Sequence, residues 1–317
     1  MKKPLLSILV PVYGVERWIE RCAVSLFEQD YENIEYIFVD DCTPDGSITI
    51  LRDVVSRYPD RATQVRVLRH EKNRGLAAAR NTAFDAATGE YIRIVDSDDF
   101  IPKNSCSLLM NAILSSGTDI VEGGYCSLLP NNQEETHQPT AINEKALKKR
   151  LCWISPPVMW ACIINRNYLI SHNLRWEEGV NMSEDYMMMS RILLKAKTSN
   201  IEGIVYFYDF TQARDYPAMY PDHINQVVRS TIAVWRYYSS TDHFPSYRRS
   251  LELALINTLR EEHRSKLAGF DIESCYPQVK PYLGRITQLI AFLLRNNSFY
   301  TVGDMFFRLW RTILLTF

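Results

Sequence analysis

The 317-residue chain has almost no net charge: 36 lysines and arginines stand against 37 aspartates and glutamates, a formal charge of −1. So weak a field does not draw a whole molecule onto a phosphate backbone, and no nucleic-acid partner is expected. No stretch approaches the ~18 consecutive apolar residues of a spanning helix. The apolar start, Leu5 to Val10, runs straight into Pro11 and Glu16 with no small-residue cleavage site, so it reads as a buried first strand and not as a signal peptide. The seven cysteines (22, 42, 106, 126, 152, 162 and 275) form no CxxC pair and no Cys/His cluster of zinc-binding spacing, which fits reduced thiols in a cytoplasmic protein. GxGxxG, GxxxxGK[ST], GxSxG and HExxH are all missing. Dinucleotide dehydrogenases, P-loop kinases, α/β-hydrolases and zincins thereby lose their main support.

With 46% hydrophobic residues there is ample material for a core, and the length suits one large α/β domain with a smaller appendage. Leu5–Val12, Ile34–Val39, Val65–Leu68 and Tyr91–Val95 are nearly continuous apolar runs rich in β-branched and aromatic residues, the pattern of buried strands. Between them, helical spacing marks Ile19 to Phe27, Ile48 to Val55 and Leu76 to Ala87. The β-α-β-α order predicts a mostly parallel sheet flanked by helices, and such sheets bind ligands beyond the carboxyl ends of their strands. Further on, the pattern predicts helices at Lys103–Ser115, Asn143–Leu151 and Glu184–Ala196, a strand at Asp119–Gly123 and a polar loop at Pro130–Pro139. From about Asp222 it predicts a helical C-terminal region, with a boundary near residue 220.

Two of the predicted strands end in carboxylates. Ile37-Phe38-Val39 leads into Asp40-Asp41-Cys42-Thr43-Pro44-Asp45-Gly46, and Ile92-Arg93-Ile94-Val95 into Asp96-Ser97-Asp98-Asp99. Parallel strands end at one edge, so Asp40 and Asp96 are expected in one crevice. Asp-x-Asp just past a strand offers hard oxygen ligands for Mg²⁺ or Mn²⁺, with phosphate oxygens and water completing the shell. Asp also caps helices and forms turns, and for Asp45-Gly46 the turn is the preferred reading.

Together, Ser7-Ile8-Leu9-Val10-Pro11-Val12-Tyr13 with Glu16, Val39 to Gly46, Asn73-Arg74-Gly75-Leu76-Ala77-Ala78-Ala79-Arg80-Asn81 and Asp96-Ser97-Asp98-Asp99 resemble the motifs of family 2 glycosyltransferases of GT-A-type fold. The resemblance implies inverting transfer of a sugar from a UDP-sugar donor to a glycan or lipid-linked glycan acceptor, in surface polysaccharide biosynthesis. It implies that residues 1–220 form the catalytic domain. Pro11, Val12 and Tyr13 would line the nucleobase pocket, Glu16 would open the following helix, and Asp40 would accept the uracil N–H. Asn73, Gly75 and Arg80 would line the ribose, diphosphate and sugar. Asp96 and Ser97 would lie at the ribose, and Asp98 would bind the metal.

The same resemblance draws attention to Met182-Ser183-Glu184-Asp185, preceded by Leu174-Arg175-Trp176-Glu177-Glu178-Gly179. It implies Asp185 as catalytic base, with Ser183 capping the helix behind it; plain N-terminal capping by the acids is the alternative, since a helix N-terminus favours carboxylates in any role. Met187, Met188 and Met189 read as core. Trp160 and Arg166 match a more extended family segment, and Arg214 would reach the diphosphate.

Two other classes compete. A nucleotidyltransferase needs a Gly-rich basic loop after its first strand, which Pro11 to Glu16 lacks, and a catalytically silent scaffold has no use for both Asp98 and Asp185. The tail mixes apolar residues with Lys280, Arg285, Arg295, Arg308 and Arg311. That composition fits peripheral contact with the cytoplasmic face of a membrane, or packing on the catalytic domain or a second subunit in a homodimer.

Overall fold

The computed structural model describes residues 3–140, 142–211, 223–265, 280–295 and 300–316. It divides into two compact units. The first comprises Met1–Ile142, Val158–Asn181 and Ile192–Asp215, and the second Asn143–Pro157, Met182–Arg191 and Tyr216–Phe317.

The first unit is built on an eight-stranded mixed sheet. Its strands are β1 (Leu6–Val12), β2 (Ile34–Asp40), β3 (Val65–Arg69), β4 (Tyr91–Ile94), β5 (Ile120–Leu129), β6 (Gln133–His137), β7 (Cys162–Asn165) and β8 (Thr198–Asp209). The order is β3-β2-β1-β4-β7-β5-β6, with β8 also paired to β5. β3, β2, β1 and β4 run parallel, as the alternation of strand and helix predicts. β7 enters antiparallel between β4 and β5, and β5 pairs parallel with β8. Burial on both faces explains the apolar runs of β1 and β2, where every residue of β1 is buried and all but one of β2; β3 is not the buried strand expected, because it lies at the sheet edge with Arg66, Val67 and Arg69 exposed.

Helices α1 (Ile19–Phe27), α2 (Ser47–Arg57), α3 (Pro59–Ala62), α4 (Leu76–Ala86) and α5 (Ser105–Ser116) follow in turn. α1 turns Ile19, Cys22, Ala23, Leu26 and Phe27 inward, the face expected from its spacing. In α4, Ala77, Ala78, Ala79 and Ala83 are buried; side chains this small let the helix lie close to the sheet. α5 ends at Gly117, whose φ of 62° is the left-handed cap that glycine adopts without a Cβ penalty. Arg93 crosses the core, donating to the Ser105 hydroxyl and to the Val205 carbonyl, each at 2.6 Å. At the opposite edge from the site, Glu35 ties β2 to the turn before β4. Its Oε1 accepts from the Ser7 hydroxyl (2.6 Å), the Thr88 N–H (2.6 Å) and hydroxyl (2.9 Å), and the Gly89 N–H (3.1 Å).

Residues 130–139 are not the expected loop: Gln133–His137 is strand β6, paired antiparallel with β5. Its polar residues are those of an exposed edge strand, which solvent-facing positions permit. β7 and most of β8 had no distinct sequence signal. β7 is a four-residue piece inside a longer apolar run, and β8 is half-buried over most of its length.

The second unit is helical: α6 (Glu144–Leu151), α8 (Glu184–Ile192, its last residue assigned to the first unit), α9 (His223–Ser239), α10 (Phe244–Ser265), α11 (Arg285–Arg295) and α12 (Tyr300–Thr316). The short α7 (Arg166–Ser171) belongs to the first. Asn143 caps α6, its side chain accepting from the Ala146 N–H at 2.9 Å. α9 packs on α10, and α10 receives α6, α11 and α12.

Candidate active site

The carboxyl ends of β2, β1 and β4 lie side by side, with Val12 in register with Asp40. Two strand spacings, about 10 Å, therefore separate the chain ends that carry Asp40 and Asp96. Pro11 and Val12 are buried within β1, while Tyr13, just past the strand, is 43% exposed. The loops after β1 and β2 interlock. The Gly14 N–H donates to the Thr43 hydroxyl (2.9 Å), the Glu16 N–H to Asp45 (2.9 Å), and the Gly46 N–H back to the Glu16 carboxylate (3.2 Å). Although partial burial pushes the Asp45 carboxyl upward, donors from Ser47, Thr43 and the Glu16 N–H prevail and hold it below the usual range. Asp45 is thus a loop clamp, in line with its reading as turn chemistry.

Asp40 is almost wholly buried, accepting from the Thr43 N–H at 2.8 Å with the Arg69 guanidinium 3.4 Å away. Its neighbour Asp41, absent from the sequence assignment, organises the next motif. Its Oδ1 lies 2.6 Å from His70 Nδ1 and accepts the Arg74 N–H at 2.8 Å, while its Oδ2 accepts the Gly75 N–H at 2.7 Å. His70 Nε2 in turn meets the Thr82 hydroxyl at 2.9 Å. This buried carboxylate fixes the turn that presents the exposed Asn73 and starts α4. Gly75 sits at φ 87°, and a Cβ there would collide with the Asn181 amide. Asn181 occupies that space because its Oδ1 accepts the Ala77 N–H at 3.2 Å in the first turn of α4. Asn81 holds Trp176 by both backbone groups (2.8 and 3.2 Å), and Arg74 pairs with Glu178 at 2.9 Å. The 174–179 segment is thereby secured to α4.

Arg80 is not a solvated helix residue. It is 1% exposed, and its Nη2 donates to Asp96 Oδ1 at 2.9 Å. Along Asp96-Ser97-Asp98-Asp99, burial alternates: Ser97 and Asp99 are buried, Asp96 and Asp98 half-exposed. Asp99 is the anchor. Its carboxylate accepts the Tyr206 hydroxyl (2.8 Å) and the Asp209 N–H (2.9 Å), and its own N–H closes the turn onto the Asp96 carbonyl (3.0 Å). Burial first, and then the charges of Asp98 and Asp96, push the Asp99 carboxyl well above the ordinary range. From the other side, Arg21 donates to the Asp98 carbonyl at 3.0 Å and pairs with Asp209 at 2.5 Å. Asp98, together with the Asp96 oxygen outside the Arg80 ion pair, forms the donor set that could hold a divalent cation. Among the described residues, no three His, Cys, Asp or Glu side chains form a metal-binding group by themselves.

Asp185 lies in the second unit, in the first turn of α8 and half-buried, beside the buried Glu184. Ser183 has φ 65°, a left-handed conformation and not the extended one through which serine caps a helix. Met187, Met188 and Met189 are fully buried, as expected of core. Tyr186 stacks on Trp153 at 4.0 Å and donates to the Leu151 carbonyl at 2.9 Å. In the first unit Trp160 stacks on Tyr208 at 5.1 Å and Arg166 lies over Phe84; Arg214 is outside the described residues. Asp41, His70, Asn181, Tyr206 and Arg21 were missed. Asp41 alone had a local signal, its place beside Asp40; the others act across long sequence separations.

The sequence model of Glycosyl transferase family 2 matches residues 7–173. An uncharacterized glycosyltransferase of Bacillus subtilis, EpsJ, is 29% identical over 255 residues, covering 74% of this chain and 71% of that protein. TuaG of the same organism, described as a putative teichuronic acid biosynthesis glycosyltransferase, is 38% identical over 153 residues, 47% of this chain and 59% of its own. Among solved structures, residues 1–349 of S. aureus TarS in complex with UDP superpose with a TM-score of 0.67 at 20% identity, covering 98% of this chain and 90% of that one. The mannosyltransferase PcManGT of Pyrobaculum calidifontis, in complex with GDP-Man and Mn²⁺, gives 0.59 at 16% identity over 100% and 88%. At these identities the two structures speak for the fold.

Proposed function

Because the chain belongs to glycosyl transferase family 2, we propose that it is an inverting transferase moving a sugar from a UDP-sugar to a hydroxyl of a glycan or lipid-linked glycan during surface polysaccharide synthesis in the cytoplasm. The observation that carries this reading is the 96–99 turn. Asp99 is locked from beneath by Tyr206 and the Asp209 N–H, Asp96 is oriented by the buried Arg80, and Asp96 and Asp98 remain half-exposed on the strand-end edge that also carries Asp40. The UDP bound in the TarS structure and the biosynthetic role in the name of TuaG support the choice of donor and acceptor. Residues 1–220 make up the proposed catalytic domain, and 221–317 serve acceptor, membrane or subunit contacts.

Asp40 is suited to accept the imide N–H of uracil, with Tyr13 beside it offering an exposed ring to the base. Pro11 and Val12 form the wall behind it, and Glu16 braces the loop that carries it. The turn at Asn73 and Gly75 would approach the ribose and diphosphate through its backbone, and Ser97 would sit at the ribose with Asp96. Mn²⁺ or Mg²⁺ fits Asp98 and Asp96, because these are hard oxygen donors with room for phosphate oxygens, and when bound it supplies positive charge beside the diphosphate leaving group. Asp185 would take the acceptor hydroxyl's proton as that oxygen attacks the anomeric carbon from the face opposite the leaving group, through a transition state of oxocarbenium character.

UDP release from a panel of UDP-sugars in the presence of Mn²⁺ tests the reading. The wild type is expected to turn over one of them, and Asp98→Ala to abolish turnover. Asp185→Asn is expected to lower kcat by about 10²–10⁴ while UDP still raises the melting temperature. Wild-type transfer by Asp185→Asn removes that residue from its role, and no release from any nucleotide sugar overturns the whole reading.

A further inference from the structure

Seven of the thirteen large hydrophobic side chains exposed among the described residues lie on α11 and α12. On α11 they are Ile286, Leu289 and Phe292, a stripe at three-residue spacing. On α12 they are Val302, Met305, Phe306 and Leu309, at the i, i+3, i+4, i+7 positions of one helical face. The packing of the pair is already satisfied by other residues. Leu283, Ile290, Ala291 and Leu294 are buried on α11 and its approach, and Phe307 on α12. Gly303 lets the two backbones come close, since a Cβ there would lie 2.9 Å from the Leu294 nitrogen. The exposed stripes are therefore not the faces that hold the hairpin together.

Charge decides what fits them. From residue 280 to the end the sequence holds Lys280, Arg285, Arg295, Arg308 and Arg311 against the single acid Asp304, a net +4, which leaves −5 on the rest of the chain. Lys280, Arg285, Arg308 and Arg311 are exposed, and Asp304 is taken by Arg308 at 2.7 Å. A twofold interface would set this patch against its own copy, placing like charges opposite each other around the apolar stripes at a cost in binding. An anionic lipid surface instead neutralises the arginines and accepts the aliphatic and aromatic side chains between the headgroups.

We propose that the α11–α12 face is a docking surface for an anionic phospholipid bilayer, on which the two helices lie without crossing. No described helix is long and apolar enough to span a membrane. The proposal stands on the second unit alone and does not depend on the sugar-transfer reading.

The test is co-sedimentation of the full chain with vesicles of phosphatidylcholine alone and of phosphatidylcholine with phosphatidylglycerol. Binding is expected only to the anionic vesicles and to weaken with added salt. Phe306→Glu with Leu309→Glu should reduce it to background, with the native melting temperature as control for folding. Since those substitutions place charge beside packed helices, Arg285→Gln with Arg311→Gln is the second arm: both side chains are exposed, and each is expected to lower partitioning roughly fivefold. Absence of binding, equal binding to neutral vesicles, or unchanged binding in the arginine variant overturns the proposal. So does a concentration-dependent doubling of mass without lipid that Phe306→Glu abolishes, which would assign the face to a second copy.

Discussion

Adjacent carboxylates do different work here. Asp40, at the end of β2, takes the Thr43 N–H and lies 3.4 Å from the Arg69 guanidinium, while Asp41 is committed to His70 and two backbone N–H groups. Removing one buried partner leaves the others desolvated and unpaired, so Asp41→Ala is expected to destabilise the protein by about 3 kcal/mol. It should also raise KM for the donor more than it lowers kcat, because the turn at Asn73 loses its anchor. Urea unfolding and donor titration check the two parts, and a variant with wild-type stability contradicts the clamp. Glu35 gives a pH prediction. Partial burial pushes its carboxyl up, but the Ser7, Thr88 and Gly89 donors prevail and hold it below its reference value of 4.5. A group depressed in the folded state stabilises fully above its unfolded pKa, and that contribution fades as pH falls through the folded one. The stability gap between wild type and Glu35→Gln should thus be open at neutral pH, narrow below about 4.5 and close further into acid. Urea midpoints measured across that range would show it, and a gap constant with pH would contradict the assignment.

At the scale of elements, what was legible in the sequence was what is written locally. The four parallel strands and α1, α2 and α4 of the first hundred residues emerged because β1, β2 and most of β4 are buried, each of these helices buries one face, and the edge strand β3, half-buried or exposed throughout, still carries the β-branched Val65 and Val67. β6 did not, since an edge strand bearing Gln133, Glu134 and Glu135 has the composition of a loop, even though it pairs with β5 as a local hairpin that starts at Leu129 and Gln133. Of the site, Asp40, Asp96 and Asp98 were visible as strand-end acids. The supports beneath them were not: Tyr206 reaches Asp99 across 107 positions, and Asn181 reaches Ala77 across 104. Close helix packing gives a further test. Gly303→Ala drives a Cβ to 2.9 Å from backbone of α11, where no side-chain rotation relieves it. A loss of about 1–3 kcal/mol is expected, read as a lower melting temperature. A neutral Gly303→Ala would show that the helices part freely.

For the molecule as a whole, the boundary expected near residue 220 has a consequence for the helix of Asp185. The second unit takes Asn143–Pro157 and Met182–Arg191 from the earlier sequence and combines them with Tyr216–Phe317. Gln226 accepts the Met182 N–H at 3.1 Å, and the Tyr238 hydroxyl donates to the Ser190 carbonyl at 2.8 Å. A fragment ending at residue 220 would therefore uncover Met187, Met188 and Met189, fully buried in the intact chain. It is expected to keep the parallel sheet and lose the order of α8. Hydrogen exchange over 182–191 measures this directly: protection equal to that of the full chain would show that α8 is held without the later helices.

The same threading sets a timetable during synthesis. The strands and turns carrying Asp40 and Asp96 leave the ribosome early and can pair at once, whereas α8 waits for Tyr238, 48 positions beyond Ser190. At about 5–20 residues per second, the segment bearing Asp185 is exposed for several seconds with its methionines uncovered. That interval is when a nascent chain of this protein is most in need of a chaperone.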